Sequence, residues 1–204
     1  MMAKNHFHYS HDPVLPPLTI FDVETTGLDP NRGHRIIEIA GVRVEHDVIL
    51  RESAFVTFVN PEREIPWDAR RVNKISDDEV KAAPTIDLVL PQFLEFAKGS
   101  TLVAHNASFD MSFLQAEKQF CWGYVDLPDC LCTMMLARSL YPGDFRHSLD
   151  ALCQKFALDV PVERHRALAD VVLTAQALLK MIETRKILTF EDLKKRAGLK
   201  QLVK

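Results

Sequence analysis

Leu18 to Glu24 is rich in apolar and β-branched residues and reads as a strand. Its side chains alternate faces, so Leu18, Ile20, Asp22 and Glu24 share one face and Thr19, Phe21 and Val23 the other. Apolar groups on both faces mark a central strand covered on both sides. Thr25 to Gly33 carries Gly and Pro and reads as a loop. Ile36 to Val44 and Val48 to Val59 predict two more strands around a tight Glu45-His46-Asp47 turn, a hairpin. Residues 60–84 read as irregular and punctuated by Pro. Ile86 to Ala97 then switches to helical spacing, with Ile86, Val89, Leu90, Phe93, Phe96 and Ala97 on the repeat. Thr101 to Ala104 is a short apolar strand. Ser108 can N-cap a helix through Gln119. Leu131 to Leu140 predicts a helix that stops before Pro142, and Ser148 can cap another through Phe156. Arg166 to Glu183 predicts a long helix, apolar on most sides. Three strands followed by helices alternating with strands predict an α/β domain with a mixed sheet.

Composition narrows the class without naming a chemistry. The 204 residues fit one domain with short tails. A hydrophobic share of 47% and a charged share of 26% exclude a mostly disordered chain. No apolar run approaches the ~20 residues needed to span a bilayer, so no membrane partner is expected. Residues 1–17 are polar, with His6, His8 and His11 and a Pro-Pro ending, and read as a flexible extension with no secretory signal. Cys121, Cys130, Cys132 and Cys153 lack zinc or redox spacing and read as reduced thiols of a cytoplasmic protein. The net charge of −3 argues at first against a nucleic-acid partner, but its distribution changes the picture. Residues 185–204 carry seven basic and two acidic residues, a surplus of five that leaves the body at −8. Such a body can concentrate carboxylates for metal, and the basic tail can touch phosphates, an acidic partner or only solvent. The expected organisation is an extension (1–17), a main domain (18–184) and a basic C-terminal tail (185–204), in which Thr189 and Asp192 offer a capping-box-like start for a brief helix.

Acids sit in apolar surroundings at three places. Asp22 and Glu24 lie on one face of the first strand, ~7 Å apart along it. Their repulsion and burial would both be relieved by a divalent cation, and hard oxygen ligands select Mg²⁺ or Mn²⁺. The strand alone equally fits an end that emerges into solvent. Asp110 follows His105-Asn106-Ala107-Ser108-Phe109 in the first turn of the helix after the Thr101–Ala104 strand. An acid there suits the helix dipole, yet it also lies where open α/β sheets place their sites. Asp170 is the lone acid between Arg166 and Ile182, at helical spacing with the small residues Ala167, Thr174 and Ala177. Buried unpaired it would cost several kcal/mol, so it needs a metal or an arginine such as Arg138 or Arg146. His165 precedes that helix and can project over the same site. Together, four carboxylates and one histidine match a two-metal hydrolytic centre, with ions ~3.5–4 Å apart clamping an in-line phosphodiester displacement. His165 is the member that titrates near neutrality, which suits a general base for the attacking water.

Phe21-Asp22-Val23-Glu24-Thr25-Thr26-Gly27, then His105-Asn106-Ala107-Ser108-Phe109-Asp110, then His165 followed five residues on by Asp170, resemble the three motifs of the DEDDh exonuclease superfamily. Leu18 to Glu183 is similar to the proofreading (epsilon) exonuclease subunits of bacterial DNA polymerase III, with Arg35-Ile36-Ile37-Glu38-Ile39 and Ser148-Leu149-Asp150-Ala151-Leu152-Cys153 in support. The resemblance implies a ribonuclease H-like fold with a central mixed five-stranded sheet flanked by helices. It implies 3′→5′ removal of nucleoside 5′-monophosphates with two Mg²⁺ or Mn²⁺ per site. Asp22, Glu24, Asp110 and Asp170 would hold the metals, with His165 as base. Glu24, Thr25 and Thr26 would meet the terminal nucleotide, partly through backbone N–H groups. Leu28 would lie near the terminal bases, and His105 and Phe109 near the substrate. Glu38 and Asp150 are implied to be structural.

One departure concerns the substrate loop. Epsilon-like chains usually read Val-His-Gly-Ile where this chain has Val72-Asn73-Lys74-Ile75, so Asn73 takes the place of a substrate-facing histidine and Lys74 becomes a candidate phosphate contact. The resemblance implies a single-stranded DNA 3′ end as substrate, a polymerase subunit as candidate partner, and a monomer or homodimer. Two rival readings stand beside it. RNA ends, as in ribonuclease T or oligoribonuclease, need the same motif residues, because discrimination rests on 2′-hydroxyl contacts elsewhere. A catalytically silent nucleic-acid or polymerase-binding module would have no need of repelling buried acids.

Overall fold

The structure, a computed structural model, describes residues 15–123, 125–162 and 166–198. In chain order the elements are β1 (Leu18–Thr25), β2 (Ile36–Glu45), β3 (Val48–Phe58), α1 (Trp67–Asn73), α2 (Asp77–Lys81), α3 (Ile86–Phe96), β4 (Thr101–Ala104), α4 (Ser108–Glu117), β5 (Cys130–Cys132), α5 (Thr133–Leu140), α6 (Leu149–Lys155), α7 (Ala167–Arg185) and α8 (Phe190–Ala197). One five-stranded sheet runs β3-β2-β1-β4-β5. The pairs β1–β2 and β2–β3 are antiparallel, and β1–β4 and β4–β5 are parallel. This is the mixed, helix-flanked sheet expected of a ribonuclease H-like fold.

Alternation along β1 decides which helix covers which face. Leu18 and Ile20 pack with Ala40, Val42 and Val44 of β2 against Val171, Ala175 and Leu178 of α7. Phe21 and Val23 face the other way, onto Val89 and Phe93 of α3 and Phe113 of α4. Each such side chain contributes about 1.5–3 kcal/mol on burial, so both helix layers are held by the central strand. Gly41 on β2 makes the second layer possible. A Cβ there would stand 3.1 Å from the Phe96 ring and 3.3 Å from Phe93. The hairpin closes with two residues between the paired Glu45 and Val48, and both His46 and Asp47 take positive φ, as two-residue hairpin turns require.

Three segments differ from the sequence expectation. The irregular stretch 60–84 contains α1 and α2, of seven and five residues, too short for their period to show. Their apolar neighbours Ile65, Ile75 and Val80 form a small core with Ile37 of β2. The segment expected as one helix from Leu131 begins as β5, whose three residues are buried on both faces and show no alternation. Ser108 does not cap α4 but stands inside it, because Asn106 at φ 60° turns the chain and Ala107 takes the cap. The basic tail from Arg185 folds as far as Ala197 and forms the brief helix expected from Thr189 and Asp192. Thr189 caps α8 by accepting from Asp192 N–H at 3.2 Å, and Leu193 and Ala197 are buried in the α7-side core. Lys194, Lys195 and Arg196 in its last turn complement the helix dipole.

The α4 layer is tied to the sheet by a buried carboxylate. Glu117 accepts from Arg35 Nε at 2.9 and 3.0 Å and from the Ile36 N–H at 3.0 Å, while the Arg35 guanidinium stacks 3.8 Å from the Phe120 ring centroid. Glu117→Ala leaves Arg35 largely buried without its counter-charge and is expected to cost about 3–5 kcal/mol in urea denaturation. A loss below about 1 kcal/mol, the range of surface pairs, would show that the tie carries no load.

Candidate active site

Asp22 and Glu24 extend from β1 on its α7 face, beyond Leu18 and Ile20. Asp170 lies in the first turn of α7, the helix laid on that face. One carboxylate oxygen from each of the three lies within 4.8 Å of the other two. Asp110 arrives from the first turn of α4. The β1–β4 pairing extends only to Ile20 opposite Val103, so β1 outruns its parallel neighbour. Past that point the Val23 N–H donates to Asp110 Oδ1 at 3.3 Å. A one-residue register slip between Glu24 and Thr25 lies beside the group, a place where bulges re-aim side chains.

The group is electrostatically unfavourable by itself. Burial raises Glu24 from its ordinary 4.5 to about 8, helped by the charges of Asp170, Glu38 and Asp110 and opposed by Arg166. Burial also raises Asp110 from 3.8 to about 8, against backbone N–H bonds from Val23 and Asp110 itself that favour the charged form. Converging hard oxygen donors that resist ionisation fit divalent cations of the Mg²⁺ and Mn²⁺ class. Glu38 stands opposite Glu24 in the β1–β2 register and is 2% exposed. It is engaged elsewhere, in an ion pair with Arg166 at 2.7 Å. Asp150 stays exposed in the first turn of α6. Both acids therefore fall outside the group of three, as the sequence reading expects.

The remaining expected residues divide. Leu28 is 85% exposed in the loop after β1. Phe109 is half-buried, its ring 5.1 Å from Phe113. His105 Nδ1 lies 2.9 Å from the Thr133 hydroxyl at the start of α5, which fixes the ring. The Thr25 hydroxyl donates to Gly27 O at 2.6 Å. Thr26 and Asn73 make hydrogen bonds within the rim of the site. The Thr26 N–H donates to Arg35 O at 2.8 Å, and its hydroxyl accepts from the Arg35 N–H at 2.9 Å and meets His34 Nδ1 at 3.2 Å. Thr26 is buried and closes the 26–35 loop. Asn73 also turns inward. Its amide donates to Thr25 O at 3.4 Å and accepts from the Ile75 N–H at 3.0 Å, so it ties α1 to the end of β1. Beside it Lys74 is exposed at φ 60°, a left-handed position that the family's usual glycine takes without strain. His165 lies outside the described residues.

Sequence reasoning missed Arg166, His34 and Thr133. Gly27 is the one readable trace of His34, because a Cβ on Gly27 would stand 2.3 Å from that ring. Nothing in sequence spacing pairs Arg166 with Glu38 or Thr133 with His105.

A family profile described as exonuclease (the RNase T family) matches residues 19–178. The DNA polymerase III subunit epsilon of Rickettsia felis is 38% identical over 167 residues, covering 79% of this chain and 72% of that protein. A DNA polymerase III of the PolC type from Caldanaerobacter subterraneus is 41% identical over 164 residues, 80% of this chain and 11% of that protein. Among solved structures, exonuclease X in complex with 5′ overhanging duplex DNA matches with a TM-score of 0.72 and 34% identity, covering 89% of this chain and 99% of that one. The nuclease domain of 3′hExo, a DEDDh family member bound to rAMP, shares the fold at a TM-score of 0.72 and 20% identity, over 86% of this chain and 94% of that one. Among the described residues no helix is long and apolar enough to cross a membrane.

Glu24 and Asp110 keep their protons to about pH 8 in the folded chain but lose them in the ordinary carboxylate range when unfolded. As pH rises through that interval the unfolded state is favoured, and the cation-free protein loses stability until it levels off above about 8. Cation binding requires the ionised acids, so its stabilising effect grows over the same interval. Thermal denaturation with chelator and with saturating Mn²⁺ is expected to show a melting-temperature gap that widens from mildly acidic buffer to about pH 8. A gap independent of pH would mean that these acids share no cation.

Proposed function

The chain belongs to the exonuclease (RNase T) family, and we propose that it is a 3′→5′ exonuclease of the DEDDh type that shortens single-stranded DNA from the 3′ end, releasing nucleoside 5′-monophosphates in proofreading or repair. The observation that carries this is the meeting of Asp22, Glu24 and Asp170 oxygens within 4.8 Å, with Asp110 electrostatically linked to Glu24. Relatives named as DNA polymerase III subunits, and one solved with duplex DNA, favour DNA as substrate and a polymerase subunit as partner in the cytoplasm.

On this reading Asp22, Glu24, Asp110 and Asp170 hold two divalent cations, Mg²⁺ or Mn²⁺. Bound there, such cations supply charge for the scissile phosphate and lower the pKa of the attacking water. The chain's own groups do the rest. His165 takes the water proton, since an imidazole ordinarily titrates near neutrality and, unlike the four carboxylates, is not assigned to hold the cations. Glu24 and Thr25 face the terminal nucleotide at the end of β1. Leu28 offers an exposed apolar side chain to its base, with 85% of its surface free. His105, oriented by Thr133, and Phe109 border the strand from the opposite side of the cluster.

Purified protein with Mg²⁺ is expected to shorten a 5′-labelled single-stranded DNA one nucleotide at a time, and to stop when chelator is added. Asp22→Ala and Asp170→Ala are each expected to lose at least about a hundredfold in rate. His165→Ala is expected to slow kcat by about 10²–10⁴-fold while DNA affinity changes far less. Digestion of a matched RNA but not of the DNA would overturn the substrate, and no digestion of either would overturn the activity.

A further inference from the structure

α7 carries Asp170 but does not cap itself. Its N-cap residue, Arg166, is extended (φ −115°, ψ 136°) and makes no side-chain bond to the first turn. Helix N-termini leave N–H donors that need an acceptor, and here one comes from a different element. Glu38 Oε2, on β2, accepts the Ala167 N–H at 3.1 Å, across 129 positions of sequence. The same carboxylate receives Arg166 Nη2 on Oε1 at 2.7 Å and Arg166 Nε on Oε2 at 3.2 Å. The guanidinium rests over the Phe58 ring of β3, 5.1 Å from its centroid. Two strands thus hold the residue on which α7 begins. The connection to the acids is one hydrogen bond long, because the Asp170 N–H donates to the Arg166 carbonyl at 3.2 Å.

Glu38 also stands directly across from Glu24 in the sheet. As an isolated carboxylate it would add another negative charge to an already repelling group, or compete as a ligand. Its fork-shaped pairing with Arg166 supplies the opposing charge and leaves the cation to the other acids.

We propose that Glu38 is a positioning residue for the hydrolytic centre: through Arg166 and the Ala167 N–H it sets where α7 begins on β2, and so where Asp170 meets Asp22 and Glu24. Arg166 keeps Glu38 out of the cation's ligand set. The proposal rests on the reading of these acids as the cation-holding centre of an exonuclease.

The test compares wild type with Glu38→Ala, Glu38→Gln, Arg166→Gln and the double variant Glu38→Gln/Arg166→Gln. It measures Mn²⁺ affinity by calorimetry, kcat and KM on a single-stranded oligonucleotide, and melting temperature. Glu38→Ala is expected to weaken Mn²⁺ binding and lower kcat by about 10–100-fold each, the size typical of lost outer support at a metal site, with KM nearly unchanged. Glu38→Gln retains an acceptor for the Ala167 N–H and falls between the two. Arg166→Gln strands the Glu38 charge, so without cation the double variant is expected to melt at a higher temperature than Arg166→Gln alone. A lower melting temperature with Mn²⁺ affinity and kcat intact would reduce the pair to a structural staple and overturn the proposal. A change confined to KM would make Arg166 a substrate contact and overturn it as well. If Glu38→Ala does not fold, Glu38→Gln decides by the same Mn²⁺ comparison with wild type. Wild type that binds Mn²⁺ yet digests no nucleic acid would refute the exonuclease reading, while the affinities would still decide on Glu38.

Discussion

Repulsion among carboxylates gathered at one end of the central strand sets the conditions for the rest of this molecule. Burial drives Glu24 and Asp110 up to about 8, and each neighbouring acid makes the next harder to ionise. A fold that needed only stability would place apolar residues there, as Leu18 and Ile20 do earlier on the same face. The arrangement makes sense where a divalent charge is received, and the surrounding structure must hold the acids close in its absence.

β2 is the frame that does this. At its start, the Ile36 N–H and the adjacent Arg35 engage Glu117 at the far end of the helix that begins with Asp110. In its middle, Glu38 engages the start of the helix that carries Asp170. Both helices that carry the converging acids are therefore referenced to one strand, itself paired with β1 along its length. Each tie is a buried carboxylate meeting an arginine and a backbone N–H, which satisfies the charge while fixing direction. Rigid elements hold converging groups more closely than loops can, and here the acids stand on a strand and two helices.

The loop after β1 is held as well. Thr26, Arg35 and His34 close it by hydrogen bonds, and Gly27 lets the imidazole pack flat against the chain. Leu28 is left standing in solvent on a braced loop. Across the cluster, Asn73 braces α1 against Thr25 in a similar way. Thr26 and Asn73 thus brace the rim by hydrogen bonds, and Leu28 and Lys74 stand exposed beside them.

Local order and chemistry were legible in the chain itself. The period-two pattern of β1 placed Asp22 and Glu24 on one face, and a small-residue stripe placed Asp170 on the packed side of its helix, because both depend only on residues a turn or a pleat apart. The three motifs likewise carried the activity. Short elements escaped, since β5, α1 and α2 span too few residues to express a period. The partnerships escaped too: Glu38 with Arg166, Glu117 with Arg35, Thr26 with His34 and Asn73 with Thr25 join positions that the linear order does not relate, except for the nearby Thr26 and His34. Which buried charge is neutralised by a neighbour, and which is left to attract a cation, depends on distances of a few ångströms across the sheet, and those exist only after the chain has closed on itself.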